Sequence, residues 1–257
     1  MIRTLLISLS LLALTACSTT DYNATVYPFS IDTELLAASP IKRVIIADVN
    51  LGIPSRQYLR SSEGTVDGML SAYLRENGYQ IESSRKFTQA WKVASRINGN
   101  PFDPSTGKVN QKTFALNIIS VAKELAETSK VDAIIFTDLV ERDVQFSGGL
   151  SHLARWDGVS RKPTLRGPGD GVSANFDWSK SASAASLWVS VYNLDLQRVF
   201  TSIGGLDTTD AIDTKSSTAH FTRRRTVLEN GSNLREGVAL AMHPFIPMEK
   251  YPGEATP

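Results

Sequence analysis

Ile41-Lys42-Arg43-Val44-Ile45-Ile46-Ala47-Asp48-Val49-Asn50 opens on a basic pair and runs into three consecutive β-branched residues. A strand with one face in water alternates apolar and polar side chains, so an unbroken Val-Ile-Ile run predicts a strand covered on both faces. After a loop holding Gly52 and Pro54, Val66, Met69, Leu70, Tyr73 and Leu74 fall at i, i+3, i+4, i+7 and i+8, one helical stripe. Glu63 and Asp67 lie near the start of that stripe and Arg75 near its end, as the helix dipole favours, and Gly78 is placed to terminate it. Tyr79 to Ser83 reads as a short strand. Phe87, Trp91, Val93 and Ala94 suggest a second helix that breaks at Gly99-Asn100-Pro101. Phe114, Ile118, Val121, Ala122 and Leu125 mark a third, followed directly by Val131-Asp132-Ala133-Ile134-Ile135-Phe136, another buried strand that continues toward Phe146.

The pattern then stops. Residues 147–184 hold six of the 17 glycines, two prolines and many serines without a sustained period, and read as a long loop insertion. Beyond it Leu187, Val189 and Val191 alternate with Trp188, Ser190 and Tyr192 in a half-buried strand, and Asn193-Leu194-Asp195 turns into a returning strand over Arg198 to Gly204. Residues 207–231 are polar and carry no clear period. Asn233 and Glu236 imitate a capping box before Leu234, Val238, Leu240 and Ala241, and Pro244 ends that helix. The expectation is one α/β domain over residues 41–246 with a mixed sheet and helices on both faces, and a short tail at 247–257.

The amino terminus has a different character. Arg3 precedes an apolar core from Leu5 to Ala13, and small residues lead to Cys17, the one cysteine of the 257 residues. That order is a secretion signal, too short for a stable membrane-spanning helix. Leu14-Thr15-Ala16-Cys17 resembles the lipobox of bacterial lipoprotein signals, an aliphatic residue, two small residues and cysteine. The resemblance implies removal of residues 1–16, a diacylglycerol on the Cys17 sulfur and a fatty acyl group such as palmitate on the new amine. Ser18 stands where the inner-membrane retention signal of that family would place aspartate, which favours transport to the outer membrane. Residues 17–40 then read as an acylated cysteine and tether, with a strand around Thr25 to Ile31 packed on the domain as the alternative.

Cleavage before Cys17 removes Arg3 alone among the charges and leaves 26 basic against 26 acidic residues. A neutral chain argues against nucleic acid as a partner, and a single cysteine allows no internal disulfide. The three histidines, His152, His220 and His243, are far apart and none has a second ligand at a metal-binding interval, so no metal is expected. No Gly-x-Ser-x-Gly nucleophile elbow occurs. Ser105-Thr106-Gly107-Lys108 fails as a phosphate loop because Phe102 and Val109 occupy the required glycine and hydroxyl positions. Gly167-Pro168-Gly169-Asp170-Gly171-Val172 fails the dinucleotide fingerprint at its last position.

Two features are left to carry recognition. Within 147–184, Trp156, Trp178, Arg161 and Arg166 are candidate partner contacts, since tryptophan and arginine are enriched where binding energy concentrates. The other reading has the tryptophans tucked into the core. Arg223-Arg224-Arg225 is a candidate anion or lipid contact, or a solvated face. A hydrolase with a site around His152, Asp157 or Asp170 is the alternative from another class.

Lys42-Arg43-Val44-Ile45-Ile46, a helix ending at Asn77-Gly78-Tyr79, and Lys130 to Ile135 after a helix together resemble the periplasmic lipoproteins around the curli-secretion lipoprotein and the outer-membrane activators of penicillin-binding proteins. The resemblance covers about residues 41–205 and implies a three-layer α/β sandwich used for binding and assembly, without a cofactor. Two departures stand out. Residues 147–184 contain no strand of the roughly 9–11 alternating residues that a membrane-inserted hairpin needs. The tether is also short beside the linkers that reach through peptidoglycan. The expectation is therefore a non-enzymatic, lipid-anchored outer-membrane protein facing the periplasm, with an envelope protein as partner; a homo-oligomer is left open.

Overall fold

A computed structural model of the chain describes residues 28–48, 50–51, 57–147, 152–167, 171–174, 176–215 and 219–248. Cys17 and Asp170 lie outside the described residues. The packed chain begins ahead of residue 41. β1 (Ser30–Ile31) pairs antiparallel with Phe200 and Thr201, and Asp32 caps α1 (Thr33–Ala38) by accepting from the Leu35 N–H. The tether expected up to residue 40 is thus corrected over its last part, where backbone pairing and a cap fix the chain.

β2 (Arg43–Ile46) leads through a 3-10 turn at Gln57–Leu59 to α2 (Arg60–Glu76), then β3 (Gln80–Glu82), α3 (Ser84–Asn98), α4 (Gln111–Thr128) and β4 (Ala133–Gln145). The glycine expected to end α2 does so. Gly78 sits at φ +85°, its N–H bonds the Arg75 carbonyl, and the Tyr79 N–H bonds the Leu74 carbonyl, a Schellman ending. Asn110 caps α4 by accepting from the Thr113 N–H.

The insertion is not structureless. It contains β5 (Ala154–Trp156), β6 (Val159–Arg161) and β7 (Thr164–Arg166) before β8 (Ser181–Asn193) begins. Asp157 and Gly158 have φ of +40° and +84° between β5 and β6, the doubly positive turn that asparagine-glycine and aspartate-glycine pairs favour in tight hairpins. β9 (Arg198–Thr208) returns along β8 and extends past Gly204, where the expected strand stopped. β10 (Asp210–Asp213) and β11 (His220–Arg223) occupy the stretch that showed no period, pairing with each other and, through β10, with β7. α5 (Gly231–Met242) starts one turn earlier than the imitation capping box, with Asn230 accepting from the N–H groups of Ser232 and Asn233.

The main sheet runs β1-β9-β8-β4-β2-β3. β2 is parallel to β3 and β4, and β8 is antiparallel to β4 and β9, so the sheet is mixed and the domain is α/β. Adjacent residues of β2 and β4 enter different cores, which is why no polar residue interrupts their runs. Val44, Ile46, Ala133 and Ile135 pack with Val66, Leu70 and Leu74 of α2 and Val238 and Ala241 of α5. Ile45 and Ile134 pack with Phe87, Ala90 and Ala94 of α3 and Ile118, Val121 and Leu125 of α4. α5 rests on the backbone of β9, where a Cβ on Gly204 would meet the Gly237 carbonyl oxygen at 2.1 Å. Among the described residues no helix is long and apolar enough to cross a membrane.

Candidate functional site

Of the residues singled out for recognition in the insertion, Trp156 and Arg161 are buried, and Arg166 and Trp178 are part-buried. Trp156 is buried against Gly205, with Val159 and Ile203 in the same cluster. Arg161 is also buried; its guanidinium donates to the Glu236 carboxylate at 2.7 Å and to the carbonyl oxygens of Leu206, Ser160 and Asn233. Glu236, expected in a capping box, instead holds this arginine. Trp178 is half-buried and stacks on His152 with ring centres 3.8 Å apart, in a cluster with Phe146, Phe176 and Phe221. Arg166 ends β7, and its carbonyl accepts from the Thr214 N–H at 3.0 Å. For Trp156 the arrangement is the inward-packed one of the two readings, and β5 and β6 form a clamp on the far ends of the long strands.

Asp157, offered as a hydrolase residue, accepts from Arg142 Nε at 2.8 Å and Ser186 Oγ at 2.7 Å, while its carbonyl takes the Gly205 N–H. The arginine run is divided. Arg223 lies over the Tyr58 ring at 4.0 Å and pairs with Glu141 and Asp210, and Arg224 pairs with Asp207 at 3.0 Å. Arg225 is exposed. Arg223 and Arg224 thus pair with carboxylates of β4, β9 and β10, which ties β10 and β11 to the main sheet.

A different region has the geometry of a site. α3 and α4 share a cluster with β2 and β4, but further across the same sheet face Trp188 of β8 is 44% exposed. Between α4 and that open stretch lies a groove of about 420 Å³. Leu51, Phe114, Ile118, Phe136, Tyr192 and Leu196 supply its apolar lining, Asp48 and Asp138 its charges, and Ile119 its half-exposed rim. The register places Phe136 opposite Ser190 and Asp138 opposite Trp188, so these four share one face. The hydroxyls of Ser190 and Thr201 are engaged, whereas the buried Thr137 Oγ1 has no hydrogen-bond partner among the described residues. Thr201 Oγ1 donates to the Val189 carbonyl and receives the Trp188 indole N–H at 2.8 Å, with Ser190 Oγ 2.9 Å away.

The carboxylates are the unusual part. Burial alone pushes Asp138 up from 3.8 to about 6, and its carboxyl has no hydrogen-bond or ion-pair partner among the described residues. In the same groove lining, at the carboxyl end of β2, burial and then repulsion from Glu63 raise Asp48, although Lys92 pulls the other way. Asp67 of α2 reaches about 6 for the same first reason, with Asp48 and Glu63 adding to it. Asn50, at φ +57°, ties this corner together: its side chain accepts from the Leu139 N–H at 2.6 Å and donates to Glu63 at 3.0 Å. The carboxyl ends of parallel strands are where open α/β sheets place ligands. Among the described residues no group of three or more His, Cys, Asp or Glu side chains is placed to hold a metal ion.

Neither Asp48 nor Asp138 was singled out from sequence. A signal was present: Ile134, Phe136, Asp138 and Val140 share one face of β4, and a carboxylate in an otherwise apolar i, i+2 series has to be accounted for.

The chain matches no protein-family profile and no curated protein. Among solved structures it is similar to a PelC dodecamer from Paraburkholderia phytofirmans, at 8% identity and a TM-score of 0.31, covering 84% of this chain and 95% of that one.

Proposed function

We propose that the chain is a lipid-anchored outer-membrane protein that faces the periplasm and acts, without catalysis, as a binding or assembly factor in the cell envelope. The observation that carries the anchor is Leu14-Thr15-Ala16-Cys17 closing an apolar amino-terminal segment. Two or more acyl chains hold a protein stably on a bilayer where one is marginal, at about 0.8 kcal/mol per buried methylene. The groove beneath α4 takes the place of the insertion as the contact face. A three-layer sandwich belongs to the same reading, supported by the division of β2 and β4 side chains between the α2/α5 and α3/α4 clusters. The hydrolase alternative loses support because Asp157 and His152 are occupied in structural contacts.

Cys17→Ala tests the anchor. Metabolic labelling with a fatty-acid probe followed by fractionation is expected to show an unlabelled protein that leaves the membrane and melts as wild type does. Labelling equal to wild type would overturn the anchor.

A further inference from the structure

We propose that the groove receives an apolar peptide segment of an envelope partner which seats one lysine or arginine side chain on Asp138. The inference rests on the reading of the groove as the contact face, and does not depend on the anchor.

Three observations converge on that chemistry. Asp138 is a carboxylate set among Phe136, Tyr192 and Ile118, with no hydrogen-bond or ion-pair partner among the described residues. Asp138 is part-buried, and a charge drawn partly out of water gains most from a close counter-charge, which an incoming cation would supply. Both charged residues that line the groove, Asp48 and Asp138, are acidic, which repels phosphate- or carboxylate-bearing ligands and favours a basic one. Directly across the strand pair, the exposed Trp188 ring offers a flat surface for the stem of a long basic side chain.

The shape favours a chain over a compact molecule. Beyond Trp188 a second depression of about 220 Å³ opens between Phe29, Arg142, Thr201 and Ile203. Asp138 and Arg142 are four residues apart on β4, about 13 Å along the strand, which an extended segment of four or five residues spans. Thr201 is hydrogen-bonded to Ser190 and to the Val189 carbonyl, which leaves Asp138 as the carboxylate on that face to discriminate between occupants.

The test is fluorescence polarisation on the full-length protein in detergent, with three fluorescein-labelled nonapeptides that alternate leucine and serine around a central arginine, norleucine or glutamate. The arginine peptide is expected to bind about tenfold or more tightly than the norleucine peptide, and the glutamate peptide weakest. Asp138→Asn, which keeps the shape of the side chain, is expected to bring the first two within about twofold. Trp188→Ala is expected to weaken both. Equal binding of all three peptides to wild type would overturn the proposal, as would an unchanged ranking in Asp138→Asn. A photo-crosslinking residue in place of Ile119 identifies the occupant in cells. Crosslinking to a partner segment that carries lysine or arginine, and its loss in an additional Asp138→Lys change, supports the proposal; crosslinking to a second copy of this chain overturns it. The Cys17→Ala protein is expected to retain the peptide ranking, so a failed anchor and a failed groove give different results.

Discussion

Arg161 and Asp138 are both charges drawn away from bulk water, and the protein treats them in opposite ways. Arg161 has its guanidinium filled by Glu236 and three carbonyl oxygens, and the insertion, β9 and α5 meet on it. Asp138 lies in a mainly apolar groove, has no hydrogen-bond or ion-pair partner among the described residues, and is pushed up by burial to about 6. A paired buried charge fixes structure; an unpaired one is retained against stability and is the mark of a surface kept for something else. The difference assigns the insertion to the architecture and the groove to recognition.

The comparison breaks first at Trp156. If the insertion is a clamp, Trp156→Ala removes a buried ring and is expected to lower stability by about 3–5 kcal/mol, read from chemical denaturation with the midpoint and slope fitted together. A change within error would return Trp156 to the surface as a contact residue. Arg161→Ala comes next, at about 2–4 kcal/mol, because it strands the Leu206 carbonyl and the Glu236 carboxylate, the latter partly rescued by solvent. If Glu236→Gln proves as costly as Arg161→Ala, the carboxylate and not the arginine is the pivot. Gly205→Ala sharpens the same point at about 1–3 kcal/mol. An added Cβ would lie 2.3 Å from Val159 Cγ2, so the hairpin must shift, and a thermal melt of the variant paired with Val159→Ala should recover part of the loss.

Most of the central sheet was legible from local pattern. Val44 to Ile46 and Val131 to Phe136 are uninterrupted because successive side chains enter two different cores, and Gly78 had to end α2 because the Schellman turn needs a positive φ. The insertion was misjudged for a physical reason: its strands are three residues long, too short for a period to register. Its one strong signal was Asp157-Gly158 between Trp156 and Val159, a turn pair flanked by apolar residues. β10 and β11 carry no apolar stripe because Asp210, Asp213, Thr222 and Arg223 divide between their two faces, and Arg223 and the adjoining Arg224 pair with carboxylates of β4 and β9. The groove was the least legible. It arises from what α4 leaves uncovered, a property of helix length and placement that no local window contains.

The charge left without a partner is the central claim, and the melting temperature of Asp138→Asn against wild type across pH tests it most directly. The folded-state value is about 6 against an ordinary 3.8, so protonation stabilises the fold. That stability is fully present below about pH 4 and is lost as pH rises through about 6. Asparagine imitates the neutral acid. The variant is expected to exceed wild type by about 1 kcal/mol at pH 8, solvent at the groove mouth screening part of the penalty, with the two curves converging near pH 4. A variant that melts with or below wild type at pH 8 would mean that Asp138 is held by the protein itself, and the distinction between the clamp and the groove would fall.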